Sequence, residues 1–368
     1  MEKWITLESE TDVRASETLV LQASEAIGDN IWHLSAFRAL AAGDPSGRID
    51  LITHVDTPVV PLFGNERIIY RYLSLILFSW GNGTKRRAAR KKGPLSYAHY
   101  LADRFSQEFW SPWVVLQALR RGKYKRCFIF HRKQNLAWMA HLAKIPEIYS
   151  LTGMYWEKVP LEMRHTFFRR PDPGQISMLL DIWGIPPWSG PTVLHPSAAA
   201  VQEVEKLYSM YPKPWVAFGI GSVSDIRIWP AERFASMADH LWDAGYRSIF
   251  LMGASHETHI AHMIRNHCQR ARPIAVTYLS LEQAIALVSC CQFTFCNDSG
   301  IMNVSAAVGV KTYSLFSNVQ PHTYSPHICP ITPKGGVDPK LRADSITLDD
   351  VMACFQREGL LKNRRAVM

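Results

Sequence analysis

Residues Cys296 to Phe316 read CNDSGIMNVSAAVGVKTYSLF: an apolar run stops at Asn-Asp-Ser-Gly and resumes as small residues. Ahead of the stop, Gln292 to Cys296 reads as a short buried strand. After it, Ile301 to Val308 reads as a helix rich in Ala and Val, Gly309 stands where a helix ends, and Thr312 to Phe316 is again β-prone. Strand, tight polar turn, helix, strand is one βαβ unit. Its turn falls at the carboxyl end of a parallel strand, where open α/β sheets bind ligands. Ser-Gly at that point offers free backbone N–H groups at a helix N-terminus, which suits phosphate.

Working outward, the alternation recurs. In the carboxy-terminal half, strands are predicted at Trp215–Phe218 and Ser248–Met252, with helices at Ala231–Ala244, Glu257–His267 and Leu281–Ser289. The amino-terminal half reads as strands at Glu17–Ala23, Arg48–Thr53 and Arg126–His131. Its helices are expected from about Ile31 to Ala42 and over Tyr97–Phe109, Val114–Arg121 and Leu136–Leu142. Pro and Gly interrupt the pattern in WGIPPWSGPTVLHP, Trp183 to Pro196, which places a boundary there. Two doubly wound α/β domains, residues 1–190 and 191–368, are expected, in keeping with a chain of 368 residues.

Composition sets further bounds. With 47% apolar and 20% charged residues the chain is that of an ordinary globular protein. Its opening, MEKWITLESE, is not a secretion signal, and YLSLILFSW, Tyr72 to Trp80, is too short to span a bilayer. Seven cysteines without a Cys-x-x-Cys pair suit a reducing, cytoplasmic compartment, and Cys290, Cys291 and Cys296 read as small core residues. HETHIAH, His256 to His262, lacks the i, i+4 histidine pair of zinc peptidases, so no metal and no cofactor is expected. The net charge of +9 is concentrated in KRRAARKK, where Lys85, Arg86, Arg87, Arg90, Lys91 and Lys92 follow directly on the apolar run. Such a block is either a solvated loop or a surface for an anionic membrane face. No interleaved basic and aromatic pattern of a nucleic-acid module accompanies it.

Three stretches carry the chemistry: AIGDNIWHLSAFRAL (Ala26–Leu40), GIGSVSDIRIWPAERFA (Gly219–Ala235) and NDSGIMNVSAAVGV (Asn297–Val310). Their order and spacing resemble the heptosyltransferases of glycosyltransferase family 9, over about Thr18 to Phe316, with a poor match between Thr57 and Phe109. The resemblance implies a GT-B fold, two Rossmann-like domains facing across a cleft. The amino-terminal domain would bind the acceptor and carry an insertion at about 64–96; the carboxy-terminal domain would bind the nucleotide sugar.

The same resemblance implies the site. Asp29, in the Gly-Asp turn, matches the family's general base, although taken by itself it reads as a helix N-cap. Arg227 stands where the family's Lys-x-Trp-Pro pattern has Lys and can hold diphosphate oxygens bidentately. Ser222 matches a phosphate-binding hydroxyl, while Trp229 and Pro230 read as a wedge and a first-turn proline. Asp298, Ser299 and Gly300 match Asp-(Thr/Ser)-Gly, with Asn303 where His is usual. Glu257 falls near the family's ribose-binding acid, a place where helix-dipole compensation also puts acids. Lys85, Arg86, Arg87, Arg90, Lys91 and Lys92 would face the acceptor.

The implied reaction is an inverting, metal-independent transfer from a nucleotide sugar, ADP-heptose by the resemblance, to an anionic glycolipid of the lipopolysaccharide core. The enzyme would be cytoplasmic, with contact at the inner membrane face and none with nucleic acid. A nucleotide-sugar epimerase of GT-B fold and a non-catalytic nucleotide-sugar-binding subunit are the alternatives.

Overall fold

The computed structural model describes residues 5–6, 15–22, 26–54, 57–66, 68–75, 113, 115–130, 134–151, 173–190, 193–322 and 324–361. The chain divides into two compact units, Met1–Gly190 and Pro191–Met368. Each is an α/β unit built on a six-stranded sheet.

In the amino-terminal unit, β2 (Thr18–Gln22) is buried along its whole length, as a strand covered on both faces must be. The sheet is completed by β1 (Ile5–Thr6), β3 (Ile49–His54), β4 (Ile69–Leu75), β5 (Arg126–Ile129) and β6 (Glu147–Ser150), in the order β1-β4-β3-β2-β5-β6. All pairs are parallel except β1 with β4. Buried Asp50 on β3 is held by the Tyr124 hydroxyl at 2.6 Å and Arg71 Nε at 2.7 Å. Desolvation raises its carboxyl pKa while those two partners oppose the rise.

Two expectations are corrected here. The first helix spans Ile27–Ala42, four residues earlier than the sequence suggests, so Asp29 lies inside its first turn and is not its N-cap; that position is Ala26. Buried residues occur almost all around this helix, which erases the amphipathic signal that would have marked its start. Second, the apolar run from Tyr72 begins within the sheet. Ile69–Leu75 forms β4 between β1 and β3, with Tyr72 buried, although these residues fall within the segment read as an insertion. The helix expected over 97–109 and the basic run at 85–92 lie outside the described residues.

The carboxy-terminal unit contains β7 (Trp215–Gly219), β8 (Ser248–Met252), β9 (Ile274–Ala275), β10 (Phe293–Asn297), β11 (Lys311–Leu315) and β12 (Ile328–Ile331). The order β12-β11-β10-β7-β8-β9 is parallel throughout. Alternate residues serve opposite faces. Val216, Phe218, Ile249, Leu251 and Phe295 pack with the Ala231–Asp243 and Leu348–Arg357 helices, whereas Trp215, Ala217, Phe250 and Met252 pack with Ala198–Leu207 and Leu281–Ser289.

This strand order winds outward from β7 in one direction and from β10 in the other, so the carboxyl ends of β7 and β10 flank a topological switch point. Gly219 closes β7 opposite Cys296 on β10. A Cβ at Gly219 would lie 2.6 Å from Cys296 Cβ, closer than real carbons approach, and 3.1 Å from Ile301 Cγ2, tighter than most such contacts. Gly219→Ala is therefore expected to destabilise the protein by about 1–3 kcal/mol through overpacking, read as a lower urea midpoint. An unchanged midpoint would mean that the two strands part freely at this point.

Candidate active site

The polar site of the carboxy-terminal unit is built on the two turns that leave β7 and β10. Asn297, the fully buried last residue of β10, donates from Nδ2 to the Ile220 carbonyl at 2.9 Å and accepts the Trp229 N–H on Oδ1 at 3.1 Å. Trp229 is itself buried and donates from Nε1 to the Ile346 carbonyl at 2.8 Å. Both ends of the 220–229 loop are thus pinned. Trp229 is the wedge expected of it; Pro230 is the N-cap of the Ala231–Asp243 helix, one residue ahead of the first-turn place read from sequence.

Pinning the loop brings the predicted donor residues together. Ser222 Oγ donates to the Asp298 carbonyl at 3.2 Å. Arg227 ends a short 3-10 turn, Asp225–Arg227, and sets its Nη1 2.8 Å from Asp298 Oδ2. That contact is an ion pair by distance, but its alignment is poor: Asp298 Oδ2 has no hydrogen-bond partner, and neither has Arg227 Nε. Ser299 is the N-cap of the Gly300–Ala307 helix, yet its hydroxyl caps nothing and is buried without a partner.

Three buried polar atoms left unmatched on adjoining residues are costly unless something else meets them. Arg227 Nε can donate, Ser299 Oγ can do either, and the first N–H groups of the helix have no intrahelical partner, as at any helix N-terminus that can receive an anion.

Asn303 is already engaged, Nδ2 donating to the Ser299 carbonyl at 3.1 Å and Oδ1 accepting from the Tyr324 hydroxyl. Glu257 ends the 3-10 turn Ser255–Glu257 and turns back toward β7. Its Oε2 accepts the Ala254 N–H at 2.7 Å, and its carboxylate fills the space of a missing side chain, 1.9 Å from where a Cβ on Gly221 would lie. Glu257 therefore serves as a local cap and also borders the β7 turn beside Ser222.

Asp29 belongs to the other unit, buried in the first turn after β2, the strand from which that sheet winds both ways. His33 follows one turn later on the same helical face. Complete burial lowers its pKa to about 3, so near neutral pH it is an uncharged ring, hydrogen-bonded through Nδ1 to the Gln22 amide. It brings no positive charge to Asp29. Among the described residues no group of three His, Cys, Asp or Glu side chains could hold a metal ion. Lys85, Arg86, Arg87, Arg90, Lys91 and Lys92 lie outside the described residues. Sequence reasoning missed Asn297; an amide placed directly before the Asp-Ser-Gly turn was the available signal.

The sequence profile of glycosyltransferase family 9 (heptosyltransferase) matches residues 115–335, more than half of the chain. The chain belongs to glycosyltransferase family 9. A lipooligosaccharide heptosyltransferase 2 of Haemophilus ducreyi is 30% identical over 109 residues, 28% of this chain and 31% of that relative, so the match spans under a third of the relative's length. Among solved structures, a family 9 glycosyl transferase of Veillonella parvula superposes with a TM-score of 0.71 at 16% identity, covering 92% of this chain and 96% of that one. The E. coli ADP-heptose LPS heptosyltransferase II gives 0.66 at 18% identity, covering 93% and 99%. These likenesses place the family 9 chain in the GT-B fold, with two Rossmann-like domains. No helix among its described residues is long and apolar enough to cross a membrane.

Because the Ser299 hydroxyl caps nothing, Ser299→Ala is expected to cost less than the ~0.5–2 kcal/mol that loss of a working cap costs. Thr347, whose Oγ1 accepts the Asp350 N–H at 3.2 Å, provides the comparison, and Thr347→Ala is expected to fall within that range. Equal losses in denaturant unfolding would make Ser299 an ordinary cap.

Proposed function

We propose that this chain transfers a sugar, with inversion, from a nucleotide-linked donor to a glycan acceptor of the lipopolysaccharide-core type. The observation that supports it most is the set of buried atoms without a hydrogen-bond partner, Arg227 Nε, Asp298 Oδ2 and Ser299 Oγ, at the β7–β10 switch point. Diphosphate chemistry matches the donors among them. Family membership and the name of the E. coli relative favour ADP-heptose as the donor.

In this reading Asp29 takes the proton of an acceptor hydroxyl as its oxygen attacks the anomeric carbon. The bond from that carbon to the phosphate oxygen breaks, and its electron pair leaves with the nucleoside diphosphate. Arg227, the Ser299 hydroxyl and the amides that open the Gly300–Ala307 helix meet the growing negative charge. Ser222 steadies the turn through the Asp298 carbonyl, and Glu257 takes the ribose side. With these groups supplying the positive potential, the scheme routes no step through a metal. A cytoplasmic enzyme working at an anionic membrane face, through the basic run at 85–92, completes the reading.

The deciding assay incubates the protein with ADP-heptose, with and without a lipopolysaccharide-core acceptor. Release of ADP only when acceptor is present supports the transferase; release without acceptor, or none at all, does not. In the same assay Asp29→Ala is expected to slow transfer by roughly 10²–10⁴-fold while ADP affinity holds. A fully active variant would remove Asp29 from the chemistry.

For the basic run, replacing Lys85, Arg86, Arg87, Arg90, Lys91 and Lys92 with Ser should raise the apparent acceptor KM or weaken binding to anionic liposomes at low salt, at about 1 kcal/mol per lost charge near such a surface. If both measurements stay level, the acceptor is held elsewhere.

A further inference from the structure

Asp298 poses an electrostatic difficulty. Its carboxylate is almost fully buried at the very turn where the proposed function seats a diphosphate, and like charges in a buried site repel. Arg227 offsets one negative charge from the Oδ2 side. The first turn of the Gly300–Ala307 helix brings no cation of its own, since Asn303 is uncharged and already bound to the Ser299 carbonyl and the Tyr324 hydroxyl.

A second nitrogen does stand at the other oxygen. His322 lies beyond the end of β11, the strand next to β10, and its Nε2 is 3.7 Å from Asp298 Oδ1, with the side chain 21% exposed. Its ring meets the buried Phe316 edge-on at 5.6 Å and lies 6.2 Å from the Tyr324 ring. Tyr324 in turn reaches the first helical turn through Asn303, so the segment carrying His322 is tied to the Asp-Ser-Gly turn from two sides. The groups facing the imidazole include Asp298 from the turn after β10, Tyr324 from its own segment and, across the same carboxylate, Arg227 from the turn after β7.

We propose that His322 is a further donor-binding residue, whose protonated imidazole, steadied by Asp298, joins Arg227 in holding the diphosphate of the nucleotide donor. The inference rests on the reading of this site as a nucleoside diphosphate site. Asp298 then acts as a positioning residue: each of its oxygens faces one cationic side chain, and the pair of cations leaves a net positive charge for the ligand. Partial exposure leaves the ring open to solvent, from which it can take a proton. Arrival of an anion favours the protonated ring, so binding and proton uptake are linked.

The test is calorimetric titration of ADP into the whole protein and into His322→Gln and His322→Arg, from about pH 5.5 to 8.5. ADP itself titrates in this range, so the readout is the difference between proteins at each pH. The parent protein should bind ADP about 10-fold more tightly than His322→Gln at the acid end, the size of a lost charge-assisted contact, with the difference vanishing at the alkaline end. His322→Arg should keep tight binding at pH 8.5, which a purely structural role would not produce. If His322→Gln follows the parent at every pH while both bind ADP, His322 is removed from the site and the diphosphate reading stands. If the parent binds no ADP at any pH, both fall together. Circular dichroism melting of the variants separates a folding defect from a binding one, and a difference that tracks lost fold overturns the assignment.

Discussion

The Asn297 side-chain amide gives its donor to the carbonyl of Ile220 and its acceptor to the N–H of Trp229, so the loop between those residues has both ends fixed to the tip of β10. Neither bond faces water, and neither can be exchanged for one without leaving a buried group unmatched. Ser222 and Arg227 ride on that loop, while Asp298, Ser299 and Gly300 continue directly from the amide. The pairing of β7 with β10 brings the two turns side by side, and the bare backbone of Gly219 lets them close to contact. Charge placement at the site is thus a by-product of strand order.

The two units put their candidate groups in comparable places by different means. In the carboxy-terminal unit the site is a surface of turns with unmatched polar atoms. In the amino-terminal unit Asp29 sits in the first turn of a helix, with the uncharged imidazole of His33 one turn further on. Arg227, by contrast, is placed where its charge is opposed but its hydrogen-bonding capacity is not used up.

Most of the carboxy-terminal fold was legible because its punctuation is local. Ser248–Met252 and Leu281–Ser289 have the boundaries read from sequence, the second because Ser280 and Gln283 form a capping box that the chain spells out. The Ala198–Leu207 helix was overlooked although Ser197 caps it through the Ala200 N–H; its run of three alanines gives little periodic contrast. β4 was hidden for a different reason: Tyr72 to Leu75 opens the apolar run that continues to Trp80, so no turn residue marks where the strand ends. The grouping of Ser222, Arg227, Asp298, Ser299, Gly300 and Asn303 followed from motif order. His322 could not be found that way, since its nearness to Asp298 depends on β11 lying against β10 and on a return of chain that no short pattern marks.

The strand orders also determine what each sheet shows at its margins. Among the described residues β1 and β9 are two residues long and β6 and β12 four, against five to seven for the interior strands other than β5. Within β12, Pro330 stands opposite Ser314 and has no N–H to offer a further strand. Among the described residues a passing chain therefore finds little template on which to extend either sheet. Short margins and a proline act as a guard against edge-to-edge aggregation, a hazard that closely packed parallel sheets meet whenever neighbouring copies crowd together.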